Sequence, residues 1–202
     1  MKKVSLILAT VALIFASSCK DNANKNENDM DNRTEMNSED ADMNENNDMD
    51  NMDDEQKVVV DLKGMHGSDV SGQVTFTEEN GEVTLKGTVN GLAEGTHAIH
   101  IHENADCSTM AAAGGHWNPT DERHGKWGAE EGYHKGDIGN FKVNSDGVGE
   151  ISFSTDEWCI GCGDKNKDIL NHSVIVHEGV DDFTSQPSGG AGGRMACGTI
   201  TK

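Results

Sequence analysis

The chain has 202 residues, of which 36 are Asp or Glu and only 16 are Lys or Arg, for a formal charge of −20. So acidic a balance argues against nucleic acid or anionic lipid headgroups as partners of its surface. Both prolines and all 24 glycines lie beyond residue 56, so the chain divides sharply into two kinds of material.

The first residues read MKKVSLILATVALIFASSCKD: Lys2 and Lys3, an apolar stretch from Val4 to Phe15, then Ala16, Ser17 and Ser18 running up to Cys19. The apolar stretch is shorter than the about 20 residues that span a bilayer, and the order of features is that of a secretory signal over residues 1–18. A cysteine at the small-residue cleavage site resembles the lipobox of bacterial lipoproteins, which implies lipidation of Cys19. Ordinary cleavage nearby would instead leave Cys19 as a spare thiol. Residues 20–56 hold ten Asn and 14 Asp or Glu against three Lys or Arg. They cannot bury enough apolar surface to offset their ordering entropy, and they are expected to stay disordered. As a coil such a tract reaches about 35 Å, which makes residues 19–56 a lipid-attachment cysteine followed by a tether. Met30, Met36, Met43, Met49 and Met52 fall within it. Thioethers suit Cu(I), so copper capture is one reading. An acidic spacer in which the methionines are incidental is the plainer one.

Residues 57–202 suit a single domain with one core. Apolar residues alternate with polar ones at Val58, Val60 and Leu62, at Val74 and Phe76, and at Val83, Leu85 and Val89. EENG and NSDG carry the Asn-Gly and Asp-Gly chemistry of hairpins. Further strands are expected over 95–103, 139–144, 147–155, 172–178 and 195–201, and no window has a helical period. About eight short strands imply an all-β antiparallel sandwich or barrel. Residues 104–137 and 179–193 are Gly-rich and too long for ordinary connections, which marks them as two long functional loops.

Within the strand candidate 95–103, His100 and His102 share one face while Ile99 and Ile101 share the other with His97, because successive side chains alternate. Two imidazoles side by side suit a metal better than a core. The first long loop adds His116, His124, His134 and Asp137, and HSVIVH places His177 at a strand end. Histidine nitrogens with one carboxylate match zinc; imidazoles alone suit copper. His100, His102, His177 and one loop histidine would give copper four ligands. Three loop histidines with Asp137 would give zinc four. One histidine must then serve both ions, which an imidazolate does through its two nitrogens.

HAIHIHE, GGHWNP, RHG, HKGDIGN, VIVHEGVDD and GGRMACGTI, in this order from about residue 57 to the C-terminus, resemble the copper/zinc superoxide dismutases, and the short gap from His102 to Cys107 with SQPSGGAGGR is more similar to the bacterial branch. The resemblance implies an eight-stranded antiparallel Greek-key sandwich or barrel. It also implies copper on His100, His102, His116 and His177, and zinc on His116, His124, His134 and Asp137, one of each ion per subunit. His116 would bridge the two and carry a proton. Arg194 would hold the anion, Asp181 would link a copper ligand to a zinc ligand, and Cys107 would pair with Cys197. The implied reaction dismutates superoxide to dioxygen and hydrogen peroxide as copper is alternately reduced and reoxidised. The protein would be an exported enzyme of the bacterial envelope, facing the periplasm or exterior, held to the membrane through its lipid alone. A homodimer is left open, and no nucleic acid is expected.

Three features stand apart from that pattern. Cys159 and Cys162 have no role in the family's core pattern; a local disulfide is the favoured reading over a thiol or metal role. The second long loop contains no lysine, so Arg123, Lys126 and Lys135 are the candidates for guiding an anion. His66, His172 and the three tryptophans read as structural or solvated. A copper store without turnover is the rival function, but storage would not require Arg194 or a complete zinc set.

Overall fold

The alternating stripes become eight strands in a computed structural model that describes residues 55–202. The expected signal segment, Cys19 and nearly all of the acidic tract lie outside the described residues. The strands are β1 (Gln56–Gly64), β2 (Ser71–Glu79), β3 (Glu82–Asn90), β4 (Gly95–His102), β5 (Gly139–Val143), β6 (Val148–Thr155), β7 (His172–His177) and β8 (Arg194–Ile200). In β1, Val58, Val60 and Leu62 are buried while Val59 between them is 48% exposed, the signature of a strand with one face on a core. The β2–β3 register pairs Glu79 with Glu82. That leaves Asn80-Gly81 as a two-residue turn with φ of 53° and 80°, the positive pair that matches strand twist.

All pairings between the eight strands are antiparallel, and the strands close in the order β1-β2-β3-β6-β5-β4-β7-β8. The barrel is held unevenly. β5 meets β6 at the single pair Val143↔Gly149, and β1 meets β8 at only two positions, whereas β2, β3 and β6 pair along their lengths. The barrel is therefore flattened into two four-stranded halves, which reconciles the sandwich and barrel expectations. The steps from β3 to β4 and from β6 to β7 each cross two strands, the Greek-key arrangement.

The interior cluster is built from inward residues of both halves, including Phe76, Leu85, Ile99, Ile101, Val174 and Val176. β4 and β7 differ from the other strands because both of their faces are buried. Their outer face lies under the loops after β4 and β7, and that is where the polar chemistry is housed. A smaller apolar cluster of Met65, Ala113, Ile175 and Cys197 packs with Cys107 on that outer side. There the Cys107–Cys197 disulfide, with a Cα–Cα distance of 5.7 Å, ties the first loop to β8. By the chain-entropy argument a closure of this length contributes about 4–5 kcal/mol.

The structure adds a third long connection to the two expected, residues 156–171 between β6 and β7. Its Trp158, Ile160 and Ile169 are almost fully buried and join the interior cluster. Cys159 and Cys162 are joined in a disulfide inside it.

Candidate metal centre

β4 presents His100 and His102 on its outer face, and β7 ends with His177 on the same side. Alternation along β7 puts His177 opposite the inward Val174 and Val176, and the pairing with β8 shifts register just there, between Val176 and His177. The loop after β4 folds back so that His116 forms a bridge with His102. Trp117 N donates to Ile101 O (2.9 Å) and Gly136 N donates to Trp117 O (2.9 Å). A side chain at Gly136 would sit 2.1 Å from Ile101 O, so the close approach that stacks this segment on β4 requires glycine.

Two groups of buried ligands result. Among the described residues, His100, His102, His116 and His177 offer nitrogens all within 4.8 Å of one another, and three nitrogens of His116, His124 and His134 lie equally close to one another and to a carboxylate oxygen of Asp137. His116 belongs to both. Its Nδ1 lies 2.8 Å from Asp137 Oδ1, its ring centroid lies 4.0 Å from that of His100, and its Nε2 is buried without a hydrogen-bond partner. His100 Nδ1, His124 Nδ1, His134 Nδ1 and His177 Nδ1 are also buried without a partner. An imidazole nitrogen stranded in that way costs about 1–3 kcal/mol, unless its lone pair is given to an ion. His124 Nδ1 stands 3.0 Å from Asp137 Oδ2 and His134 Nδ1 stands 3.3 Å from Asp137 Oδ1, neither in hydrogen-bond geometry, the spacing of donors that converge on a common centre. The donor set fits an all-imidazole site for copper beside a three-imidazole, one-carboxylate site for zinc.

The outward nitrogens are held in turn. His100 Nε2 donates to Asp181 Oδ2 (2.8 Å) and His124 Nε2 donates to Asp181 Oδ1 (2.9 Å), so one carboxylate spans the two groups. His102 Nδ1 donates to Gly114 O (3.1 Å). His97, on the inner face, sits between the carbonyl oxygens of Ala93 and His177.

Protonation follows from these surroundings. Burial, with neighbouring imidazoles adding to it, pushes His102 well below its ordinary value. Burial likewise takes His177 down to about 3 and outweighs Asp137 to take His116 down to about 4. All three are neutral at pH 7, as ligation requires. His124 is the opposite case. Burial lowers it, but Asp137 and Asp181 outweigh that and raise it to about 9. Burial would raise both carboxyls, yet the imidazoles of His116, His124 and His134 packed close around Asp137, with the main-chain bond from His134 N, and those of His100 and His124 at Asp181, hold each well below the usual range. Without a metal, the second group therefore carries a proton on His124 between two carboxylates.

Arg194 closes the site from the side of β8. Its guanidinium donates to Met110 O and, at 2.6 Å, to Gly114 O. It lines a surface cavity of about 400 Å³ together with His102, Glu103, His116, His134 and His177. Arg123 and Lys126 line a different cavity beside Phe183, and Lys135 is paired with Glu157. None of the three lysine and arginine candidates for guiding an anion reaches the wall that Arg194 occupies. His172 stacks on Trp117 at 4.7 Å and its Nδ1 donates to Glu103 O; His66 is exposed at a turn.

Two supporting residues had no signal in the sequence. Asn140 exchanges two hydrogen bonds with the main chain of Asp181, and Gln186 does the same with His124. Each is an ordinary amide far along the chain from the residue it holds.

Among known proteins, the family model for copper/zinc superoxide dismutase (SODC) matches residues 70–200. The chain is similar to a superoxide dismutase [Cu-Zn] of Haemophilus parainfluenzae, with 33% identity over 153 residues that cover 70% of this chain and 79% of that protein. It is also similar in structure to the clock protein EA4, with a TM-score of 0.64 and 30% identity, over 73% of this chain and 94% of that one.

Proposed function

Because the chain belongs to the copper/zinc superoxide dismutase family, we propose that it dismutates superoxide outside the cytoplasm, protecting the cell envelope from a lipid anchor at Cys19. It is an oxidoreductase acting on superoxide and uses copper and zinc. We assign copper to His100, His102, His116 and His177, and zinc to His116, His124, His134 and Asp137. The observation that carries this assignment is the sharing of His116, one buried ring that belongs to two four-membered ligand groups at once.

When bound, copper supplies the one-electron chemistry that dismutation requires, and zinc, which has no redox chemistry of its own, fixes the loop. The chain's residues supply the rest. Arg194 spends two N–H groups on the carbonyls of Met110 and Gly114, which fixes its plane at the cavity wall and leaves other N–H groups for a small anion. A fixed positive charge at a partly dry wall favours superoxide more than a mobile surface lysine would. His116 carries the proton. With its Nδ1 turned to Asp137 and its buried Nε2 given no other hydrogen-bond partner among the described residues, Nε2 would take a proton from solvent and hand it to departing peroxide. Asp181 keeps His100 and His124 oriented through both halves of the reaction.

Export is supported by the order of residues 1–19 and by two disulfides, Cys107–Cys197 and Cys159–Cys162, which persist in oxidising compartments. The test is to express the full chain in a bacterium, fractionate the cells, and partition the mature product between detergent and water. Recovery of activity in the detergent phase, lost to the aqueous phase in Cys19→Ala, is the expected result. Aqueous partitioning of both forms, or an uncleaved N-terminus in the cytoplasm, would overturn the anchor.

A further inference from the structure

The loop between β6 and β7 reaches the zinc ligand His134 from both sides. Glu157 Oε1 accepts from Tyr133 Oη at 2.6 Å, Glu157 Oε2 accepts from Lys135 Nζ, and Trp158 Nε1 donates to Lys135 O at 2.9 Å. Residues 133 and 135 flank His134, so three hydrogen bonds from one short stretch fall on either side of a ligand. The aromatic packing agrees: Trp127 lies 4.9 Å from Tyr133 and 5.6 Å from Trp158.

His134 needs such support. Its own main chain is held by the bond from His134 N to Asp137 Oδ2 (2.8 Å), a contact inside the ligand group itself. Residues 126–133 just before it are irregular, and their main-chain bonds are the turn bonds Ala129 N to Lys126 O and Gly132 N to Ala129 O. A ligand on such a segment must be ordered by something else if the ion is not to bear the ordering entropy when it binds.

Glu157 and Trp158 are well placed for that because their own loop is over-tied. Cys159, the next residue, is bonded to Cys162. Cys159 also exchanges main-chain bonds with Lys167 and Ile169. Asp168 accepts from Gly161, Gly163 and Leu170, and Glu78 of β2 accepts from Ile160 N at 2.7 Å. Trp158 is 1% exposed and packs edge-on against Phe76 in the interior. Rigidity therefore runs from the barrel through the disulfide-closed loop to the two neighbours of His134.

We propose that the Glu157–Cys162 stretch is a positioning element for the zinc ligand His134, and that both the Glu157 carboxylate and the Cys159–Cys162 bond are needed for full zinc retention. None of these residues belongs to the zinc group; Glu157 acts through Tyr133 and Lys135, and the disulfide acts by holding Glu157 and Trp158 in place. The proposal rests on the assignment of zinc to His116, His124, His134 and Asp137.

The test uses the full chain, stripped of metal and reloaded. Zinc and copper dissociation constants are measured in parallel by chelator competition for wild type, Glu157→Ala, Glu157→Gln and the double variant Cys159→Ser/Cys162→Ser. Cobalt(II) absorption reports on the geometry of the zinc group. Expected are a zinc dissociation constant about tenfold higher in Glu157→Ala and in the double variant, at the low end of what outer partners of metal ligands give, with copper affinity unchanged and altered cobalt bands. Glu157→Gln, which keeps the shape and one acceptor, falls between Glu157→Ala and wild type. Wild-type zinc affinity in either Glu157→Ala or the double variant overturns the proposal. So does an equal loss of copper and zinc, which would mark general destabilisation. A wild-type chain that takes up copper but no zinc sinks the zinc assignment itself, an outcome visible before any variant is made.

Discussion

Gly189 is the position at which the smallest substitution should do the most damage. It is buried in the loop after β7, with φ of 67°. A Cβ there would stand 1.8 Å from Asp181 Oδ1 and 2.6 Å from His124 Nε2, on top of the bond that joins them. Asp181 has little room to retreat, being tied to His100, Phe183 and Asn140. Gly190, one residue on, has nearly the same φ of 65°, but its Cβ would meet nothing nearer than 3.7 Å. Gly190→Ala should therefore cost only the left-handed backbone penalty, about 1–2 kcal/mol. Gly189→Ala should cost that plus the buried His124–Asp181 bond, about 1.5–3 kcal/mol more, or about 3–5 kcal/mol in all. For a domain of this size that is a fall in Tm of about 6–20 °C against about 2–8 °C for the neighbour. Displacing His124 should also weaken zinc by about 10–100-fold, while Gly190→Ala leaves it unchanged. Thermal unfolding of the metal-free protein and chelator competition measure the two effects. Equal Tm values and equal zinc affinities in the two variants would show that Asp181 does not hold His124 as argued.

Three other outcomes are expected. Arg194→Ser should keep both metals, lose at least about tenfold in kcat/KM, and flatten the dependence of rate on ionic strength; an unchanged salt profile would move the anion's guide elsewhere. In metal-free protein, His124 is raised to about 9, so its contribution to stability is complete below its unfolded value near 6.5 and is lost as pH rises through about 9. Tm should fall across that window without metal and stay level once zinc has displaced the proton, as calorimetry at several pH values would show. Asp168, whose three main-chain bonds outweigh burial and hold its carboxyl below the ordinary value, stabilises the protein above about pH 4 and loses that effect as pH falls through the lowered value. Asp168→Asn should remove about 1–2 kcal/mol at pH 7 and make urea midpoints less sensitive to acid; a variant as acid-sensitive as wild type would refute the role.

The strands were legible because burial imposes a period of two that any half-buried strand must show, and because Asn-Gly and Asp-Gly have few other uses between such runs. The candidate ligand histidines stood out for a related reason. Histidine on a strand face that should be apolar, and histidines crowded into a Gly-rich loop, are costly to fold without a metal to hold. The steering residues were not legible in that way, since charge along a loop does not say which wall of a cavity it faces. Lys135 turned out to be paired with Glu157, and Arg123 and Lys126 open on another surface. The connection from β6 to β7 likewise shows in the sequence only as a cysteine pair, although three of its residues fill the interior.

Residue type and spacing alone thus determined the strands, the all-β class and a set of candidate metal-binding side chains, because those depend on local periodicity and on chemistry that few other residues can supply; which of them serves which ion came from the family resemblance. Tertiary structure alone decided what holds the roster in place. Asn140 on Asp181, Gln186 on His124, and Glu157 with Trp158 on the neighbours of His134 join segments far apart in the chain. A carboxylate, an amide or an indole N–H becomes a support only when folding carries it to an unpaired partner, and no pattern within either segment records that meeting.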